Sequence, residues 1–93
     1  MNKYEMLYIL KADLTDEVRD SVIEKFESIV KTAGGEVEKT DKWGVKKLAY
    51  DIDYKSEGYY VLMTFFCDAS LVAEIERVAN ITEEMLRRMI VKL

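Results

Sequence analysis

Two short segments of the chain carry a local excess of positive charge. Residues 39–48 contain four lysines against one aspartate, and residues 85–93 contain three basic residues and no acidic one. Clustered Lys and Arg side chains neutralise phosphates, so one interpretation is that the two segments bind an anionic partner. An ordinary solvated surface is the alternative interpretation. With Lys3, the basic candidates are Lys42, Lys46, Lys47, Arg87, Arg88 and Lys92.

The residue types needed for catalysis or metal binding are mostly missing. The chain has no histidine, which removes the commonest general base and the commonest metal ligand. Its single cysteine, Cys67, follows an apolar run and is interpreted as a small core residue. The four glycines form no phosphate-binding loop. We therefore predict no catalytic, cofactor-binding or metal-binding residues and no enzymatic activity.

Length and charge restrict the class of protein further. The 93 residues are predicted to form one domain, 1–93, because a chain of this size supports a single core. A net charge of −4 argues against indiscriminate binding to nucleic acid. No apolar run approaches the roughly 18 residues that cross a bilayer. The start of the chain lacks the features of a signal peptide, so a cytoplasmic location is expected.

Hydrophobic periodicity predicts four strands and two helices. Thr15 is a suitable N-cap for the first helix, and Gly34-Gly35 a suitable end, because glycine adopts the left-handed conformation without strain. Gly44 is expected to mark a bulge or bend within a long second strand. In chain order the predicted elements are strand 4–10, a helix after Thr15, strand 36–52, a turn at Ser56-Glu57-Gly58, strand 59–67, helix 68–79 and strand 85–93.

This order of elements predicts an α+β fold of the ferredoxin-like split βαβ type (βαββαβ). Right-handed crossovers place both helices on one face of a four-stranded antiparallel sheet. The last strand is expected beside the first, and the second strand at the opposite edge. The other face of the sheet is then left without a helix.

The uncovered face of the predicted sheet is unusually apolar. Leu7 and Ile9 of the first strand, together with Tyr60, Leu62 and Phe66 of the third, are expected to point toward it. An exposed surface of this kind suggests a protein partner. The alternatives are that long side chains and loop tips cover it, or that the two faces of the sheet are the other way round.

Four short motifs make the chain similar to a known family. Residues 43–50 read Trp-Gly-Val-Lys-Lys-Leu-Ala-Tyr, and residues 87–92 read Arg-Arg-Met-Ile-Val-Lys. Lys-Tyr-Glu at 3–5 and Gly-Tyr-Tyr at 58–60 accompany them. Together these residues resemble the bacterial small-subunit ribosomal protein six family over essentially the whole chain. The chain departs from that pattern at Asp51, where proline is common.

The resemblance implies a structural protein of the small ribosomal subunit, without enzymatic activity. Such a protein would bind the central domain of small-subunit rRNA together with ribosomal protein eighteen, and no membrane, DNA or small-molecule partner is expected. The seven basic candidates would contact phosphates rather than read bases, because the third strand lacks the stacking signature of RNA-binding sheets. The expected partner-binding residues are Leu7, Ile9, Trp43, Leu48, Tyr50, Tyr60, Leu62 and Phe66. The alternative function is a self-associating ferredoxin-like small-ligand or regulatory domain.

Overall fold

Four strands and two helices follow one another in the predicted order. The structure, a computed structural model, describes the backbone of residues 1–52 and 55–93 and the side chains of residues 1–48 and 56–93. Its elements are β1 (Asn2–Lys11), α1 (Asp16–Thr32), β2 (Glu36–Ile52), β3 (Lys55–Cys67), α2 (Ala69–Asn80) and β4 (Met85–Lys92). No helix in the described part of the chain is long and apolar enough to span a membrane.

The strands form one antiparallel sheet in the order β2-β3-β1-β4. The predicted placement of β4 beside β1, with β2 at the opposite edge, is therefore confirmed. The ferredoxin-like topology is confirmed with it. The two positively charged segments consequently lie at opposite edges of the sheet, because one belongs to β2 and the other to β4.

Local sequence signals account for the ends of α1. The hydroxyl of Thr15 accepts a hydrogen bond from the backbone N–H of Val18 at 3.3 Å, as expected of an N-cap. The helix ends at Thr32, and Gly34 then takes a φ of +84°, a conformation that residues with a Cβ rarely adopt. Gly44 similarly has a φ of +89° at an irregularity in the β2–β3 pairing, so the predicted bulge is confirmed.

The core lies between the helices and one face of the sheet. Val61, Met63 and Phe65 of β3 are completely buried there, as are Phe26 of α1 and Ile75 of α2. Alternation along β3 then directs the even-numbered residues to the other face. Both helices thus cover a single face, as the topology requires.

The predicted turn at Ser56-Glu57-Gly58 is wrong. These residues belong to β3, where Gly58 pairs with Lys11 on one side and Lys46 on the other. A Cβ at Gly58 would overlap Cγ2 of Ile9, so the glycine is required by close packing inside the sheet rather than by a turn.

Candidate nucleic-acid and protein interface

The face of the sheet that points away from both helices, called the open face below, carries the predicted apolar side chains. Leu7, Tyr60, Leu62 and Phe66 are half-buried on it, and Ile9 is buried with 9% of its surface exposed. The residues that alternate with them along β1 and β3 point into the core. The predicted facing is therefore confirmed, whereas the role of these residues as partner contacts stays a prediction.

One half of the open face carries a group of apolar side chains, although Glu5 of β1 and Asp41 of β2 lie on the same half. Leu7 of β1 lies between Leu62 of β3 and Met89 of β4, so that three large side chains cross the sheet in one row. Val91 and Phe66 continue the surface toward the end of the sheet. Met89 is 58% exposed and Val91 is also exposed. We call Leu7, Leu62, Phe66, Met89 and Val91 the apolar end.

The other half of the open face is basic. Lys11 of β1 and Lys46 of β2 lie on either side of Gly58, so their side chains leave the same face of the sheet. Arg87 of β4 lies opposite Ile9 in the adjoining row. No carboxylate among the described side chains shares these two rows of the open face. We call Lys11, Lys46 and Arg87, together with the neighbouring rings of Trp43 and Tyr60, the cationic end.

Two aromatic rings lie beside these basic residues. The ring of Trp43 is almost parallel to that of Tyr60, with an interplanar angle of 7° and a centroid separation of 6.3 Å. Trp43 is 46% exposed, whereas Tyr60 is half-buried. Leu48 is buried, and one of its methyl groups approaches Gly58 from the same face. Three of the eight predicted partner contacts, Trp43, Leu48 and Tyr60, thus lie where β2 pairs with residues 58–60 of β3.

A shallow depression connects the two halves. It has a volume of about 300 Å³ and is lined by Leu7, Ile9, Tyr60, Arg87 and Met89 among others. Its floor is apolar, while Arg87 provides a positive charge. A depression of this chemistry can accept a side chain or a ring whose other end is polar or negative.

Lys3, Lys42 and Arg88 are already paired with carboxylates within the protein. The amino group of Lys3 lies 3.2 Å from a carboxylate oxygen of Glu38, and that of Lys42 lies 3.4 Å from Asp20 on α1. Arg88 donates to Glu76 at 2.9 Å. A phosphate must compete with these carboxylates to bind the same cations.

The remaining basic candidates do not share one surface. Lys46 pairs with Gly58 and Lys47 with Glu57, so adjacent positions direct the two lysines to opposite faces of β2. Lys92 pairs with Tyr4, which points into the core, and therefore leaves the helix side of β4. Because β2 and β4 are edge strands, their basic side chains can reach the rim of the sheet from either face.

Tyr50, predicted as a partner contact, lies outside the described side chains. The residues that the structure adds to the open face and that were missed from the sequence include Lys11, Met89 and Val91. The alternation of side chains along a strand could have identified all three. Lys11 lies two residues after Ile9 on β1, and Met89 and Val91 flank the inward-facing Ile90 on β4.

The described residues offer little chemistry beyond binding. Cys67 is buried, and burial raises the pKa of its thiol, which disfavours the reactive thiolate. Within the part of the chain that the structure describes, no three potential ligands are grouped so that they could hold a metal ion.

Comparisons with known proteins agree on one family. The family model for ribosomal protein S6 matches residues 3–92. Small ribosomal subunit protein bS6 of Thermoanaerobacter pseudethanolicus is 48% identical over 92 residues, covering 99% of this chain and 97% of that protein. Its counterpart in Clostridium acetobutylicum is 47% identical over 93 residues, covering 100% and 98%. The crystal structure of 30S ribosomal protein S6 from Thermotoga maritima is similar with a TM-score of 0.93 at 27% identity, covering 99% of this chain and 87% of that one.

Proposed function

The chain belongs to the ribosomal protein S6 family, a structural, non-enzymatic component of the bacterial small ribosomal subunit, and from that premise we propose which surfaces it uses there. Membership also assigns the protein to the cytoplasm, where bacterial ribosomes are. In the proposal, residues 1–93 act as one domain that binds the central domain of small-subunit rRNA. Ribosomal protein eighteen binds beside it and completes the RNA-binding surface.

The observation that carries the proposal is the apolar end of the open face. Met89 and Val91 are exposed there beside Leu7 and Leu62, although monomeric proteins seldom leave such a surface in water. A standard interface buries about 800 Å² on each partner, and one half of a four-stranded sheet can supply an area of that order. The adjoining depression would receive an anchoring side chain of the protein partner.

The rRNA contacts are assigned to the basic side chains at the rims of the sheet. Lys46, Lys47 and Lys92 make no ion pair with any described side chain, so none of those side chains already neutralises them. Lys3, Lys42 and Arg88 would contribute less, because each already has an acidic neighbour. Phosphate contacts fix position on the RNA and carry no direct sequence information.

The need for a protein partner follows from the charge balance. At a net charge of −4, the average field of the isolated chain repels RNA, and its basic residues are divided between two edges of the sheet. A partner seated on the apolar end would add its own surface between those edges. The joint surface would then be larger than either protein offers alone.

A binding titration tests this proposal. Retention of central-domain rRNA on a filter is measured at physiological salt with this protein, with ribosomal protein eighteen, and with both. We expect strong retention only with both proteins. Tight binding by this chain alone would contradict the need for the partner. A stable homodimer that ignores both rRNA and ribosomal protein eighteen would instead fit a self-associating domain.

A pair of variants separates the apolar end from exposed apolar surface in general. Met89→Asp puts a charge at the centre of the proposed protein interface, whereas Ile81→Asp does so at the end of α2, where the side chain is 67% exposed. We expect Met89→Asp to abolish binding of ribosomal protein eighteen and Ile81→Asp to leave it unchanged, with both variants folded by circular dichroism. Equal binding by the two variants would exclude the apolar end as the partner site.

A further inference from the structure

The cationic end of the open face combines features that the apolar end lacks. It has three basic residues in two adjacent rows, no described carboxylate in those rows, and a stacked pair of aromatic rings. Protein partners and RNA differ in what they require here. The core of a protein interface is depleted in charge, whereas single-stranded RNA is held by basic side chains that flank exposed aromatic faces.

We propose that the cationic end holds an unpaired RNA nucleotide, with its base stacked against the Trp43–Tyr60 pair and its flanking phosphates near Lys46 and Lys11. The proposal rests on the proposed rRNA-binding function and adds to it a defined kind of contact, between the sheet and a base that is not paired. It assigns an unpaired nucleotide, not a protein segment, to this half of the face.

The two rings of the aromatic pair are parallel but offset. Parallel rings in full overlap would have centroids much closer than the 6.3 Å observed, so Trp43 and Tyr60 are offset and each leaves part of its face uncovered. Trp43 is also the more exposed of the two. In the proposal, a nucleobase extends this stack on the exposed side of Trp43.

The basic residues are placed to hold the backbone of the same nucleotide. Lys46 and Lys11 flank Gly58, one row from Tyr60, and leave the face on which the aromatic pair lies. Neither lysine has an ion-pair partner among the described side chains. Gly58 carries no side chain, and Ile9 and Leu48 close over it, so the surface between the lysines is apolar.

Stacking of this kind does not depend on base identity, because every base presents a flat π-face. The site would therefore hold an unpaired nucleotide of any sequence and reject a base that is already paired. This agrees with phosphate contacts that position the protein without reading sequence. It also accounts for a tryptophan that is exposed beside basic residues.

Trp43 is the only tryptophan of the chain, so its fluorescence reports on this site alone. The probes are a short single-stranded oligoadenylate and the same strand annealed to oligouridylate. We expect the single strand to cause a saturable loss of most of the Trp43 emission and the duplex to cause little change. Equal effects of the two probes, or none from either, would overturn the proposal.

Two pairs of variants sharpen the test. Tyr60→Leu should weaken binding of the single strand about tenfold, as expected when one stacking interaction is removed, whereas Tyr60→Phe should bind as the parent does. Lys46→Ala should reduce the salt dependence of binding, while Lys31→Ala, on the last turn of α1, should not. Unchanged binding by Tyr60→Leu, or equal effects of the two lysine variants, would contradict the assigned contacts.

The remaining measurement distinguishes this inference from the proposed function. Trp43 emission is followed as central-domain rRNA and ribosomal protein eighteen are added, separately and together. Retention of rRNA without a change in emission would overturn the base contact and leave the proposed function standing. A blue shift caused by ribosomal protein eighteen alone, with loss of oligoadenylate binding, would show a protein at this site and overturn the inference. Absence of rRNA retention would contradict the proposed function, and the oligonucleotide titration would still decide the base contact.

Discussion

Replacing Lys46 and Lys47 by alanine, singly and together, tests where the RNA backbone lies relative to β2. The two lysines leave opposite faces of the same edge strand. An RNA backbone that follows the rim can contact both, whereas one that lies across the open face can contact Lys46 only. How many phosphates the double variant releases therefore depends on the path of the RNA.

The magnitude follows from counterion release. Each phosphate contact contributes about 0.9 to the slope of log affinity against log salt for a duplex, and about 0.7 for a single strand. Without one duplex contact, the fall in affinity between about 50 mM and 200 mM salt is thus smaller by a factor of about 3.5. We expect the double variant to flatten the slope by about 1.8 if the RNA follows the rim, and by about half of that if it lies on one face.

The assay is the filter titration with ribosomal protein eighteen present, repeated over a series of salt concentrations. Lys31→Ala serves as the matched control, because it removes the same charge from α1, outside the sheet. The slope for Lys31→Ala should equal that of the parent. An unchanged slope for the double variant would remove both lysines from the RNA contacts and refute the assignment of the β2 rim.

Three further predictions concern stability. The hydroxyl of Tyr8 is buried without a hydrogen-bond partner among the described atoms, so Tyr8→Phe should stabilise the protein by about 1 kcal/mol in urea unfolding. Burial raises the pKa of Tyr8, so the unfolded chain loses this proton at a lower pH than the folded protein does. The free energy of unfolding of the parent should therefore fall above about pH 10, and that of Tyr8→Phe should fall less. Identical alkaline profiles of the two proteins would contradict this. Gly58→Ala should cost about 1–3 kcal/mol because its Cβ meets Ile9, and a variant as stable as the parent would show that the sheet yields there. Arg88→Ala should lower the free energy of unfolding by about 1 kcal/mol, because its bond to Glu76 is removed, and should flatten the salt slope of RNA binding less than Lys46→Ala does; an equal or larger flattening would contradict the weaker role assigned to Arg88.

The order of elements could be predicted because each has a local cause. Thr15 and Gly34 mark the ends of α1 through hydrogen bonding and a positive φ, which depend only on neighbouring residues. Alternation defines which residues of β3 face the core. Gly58 was misassigned for the opposite reason. Its role comes from contact with Ile9, which is far away in sequence, and local turn propensity carries no information about that contact.

The candidate site was predictable in its residue types but not in its pairing. Counting charges along the chain finds Lys46 and Arg87 but misses Lys11, whose neighbours in the site come from other strands. The same count treats Arg88 as available, although α2 supplies its partner Glu76. A count along the sequence gives the charge of each segment, whereas a sheet brings together residues of different strands that lie opposite one another.

The two edges of the sheet resist aggregation in different ways. β2 has three register irregularities against β3, so its outer edge cannot offer the regular row of backbone groups that a foreign strand needs as a template. β4 is more regular: Leu93 donates to Lys3, and alternation then turns the backbone groups of Arg88, Ile90 and Lys92 outward.

That second edge is protected by charge rather than by shape. An antiparallel copy of β4 centred on Ile90 would place Arg88 opposite Lys92, and like charges directly opposite each other destabilise strand pairing. The same positive charges that suit the rim of the sheet to RNA thus hinder the addition of another copy. In the protein without RNA, this charge repulsion disfavours edge-to-edge pairing of β4 strands from different copies.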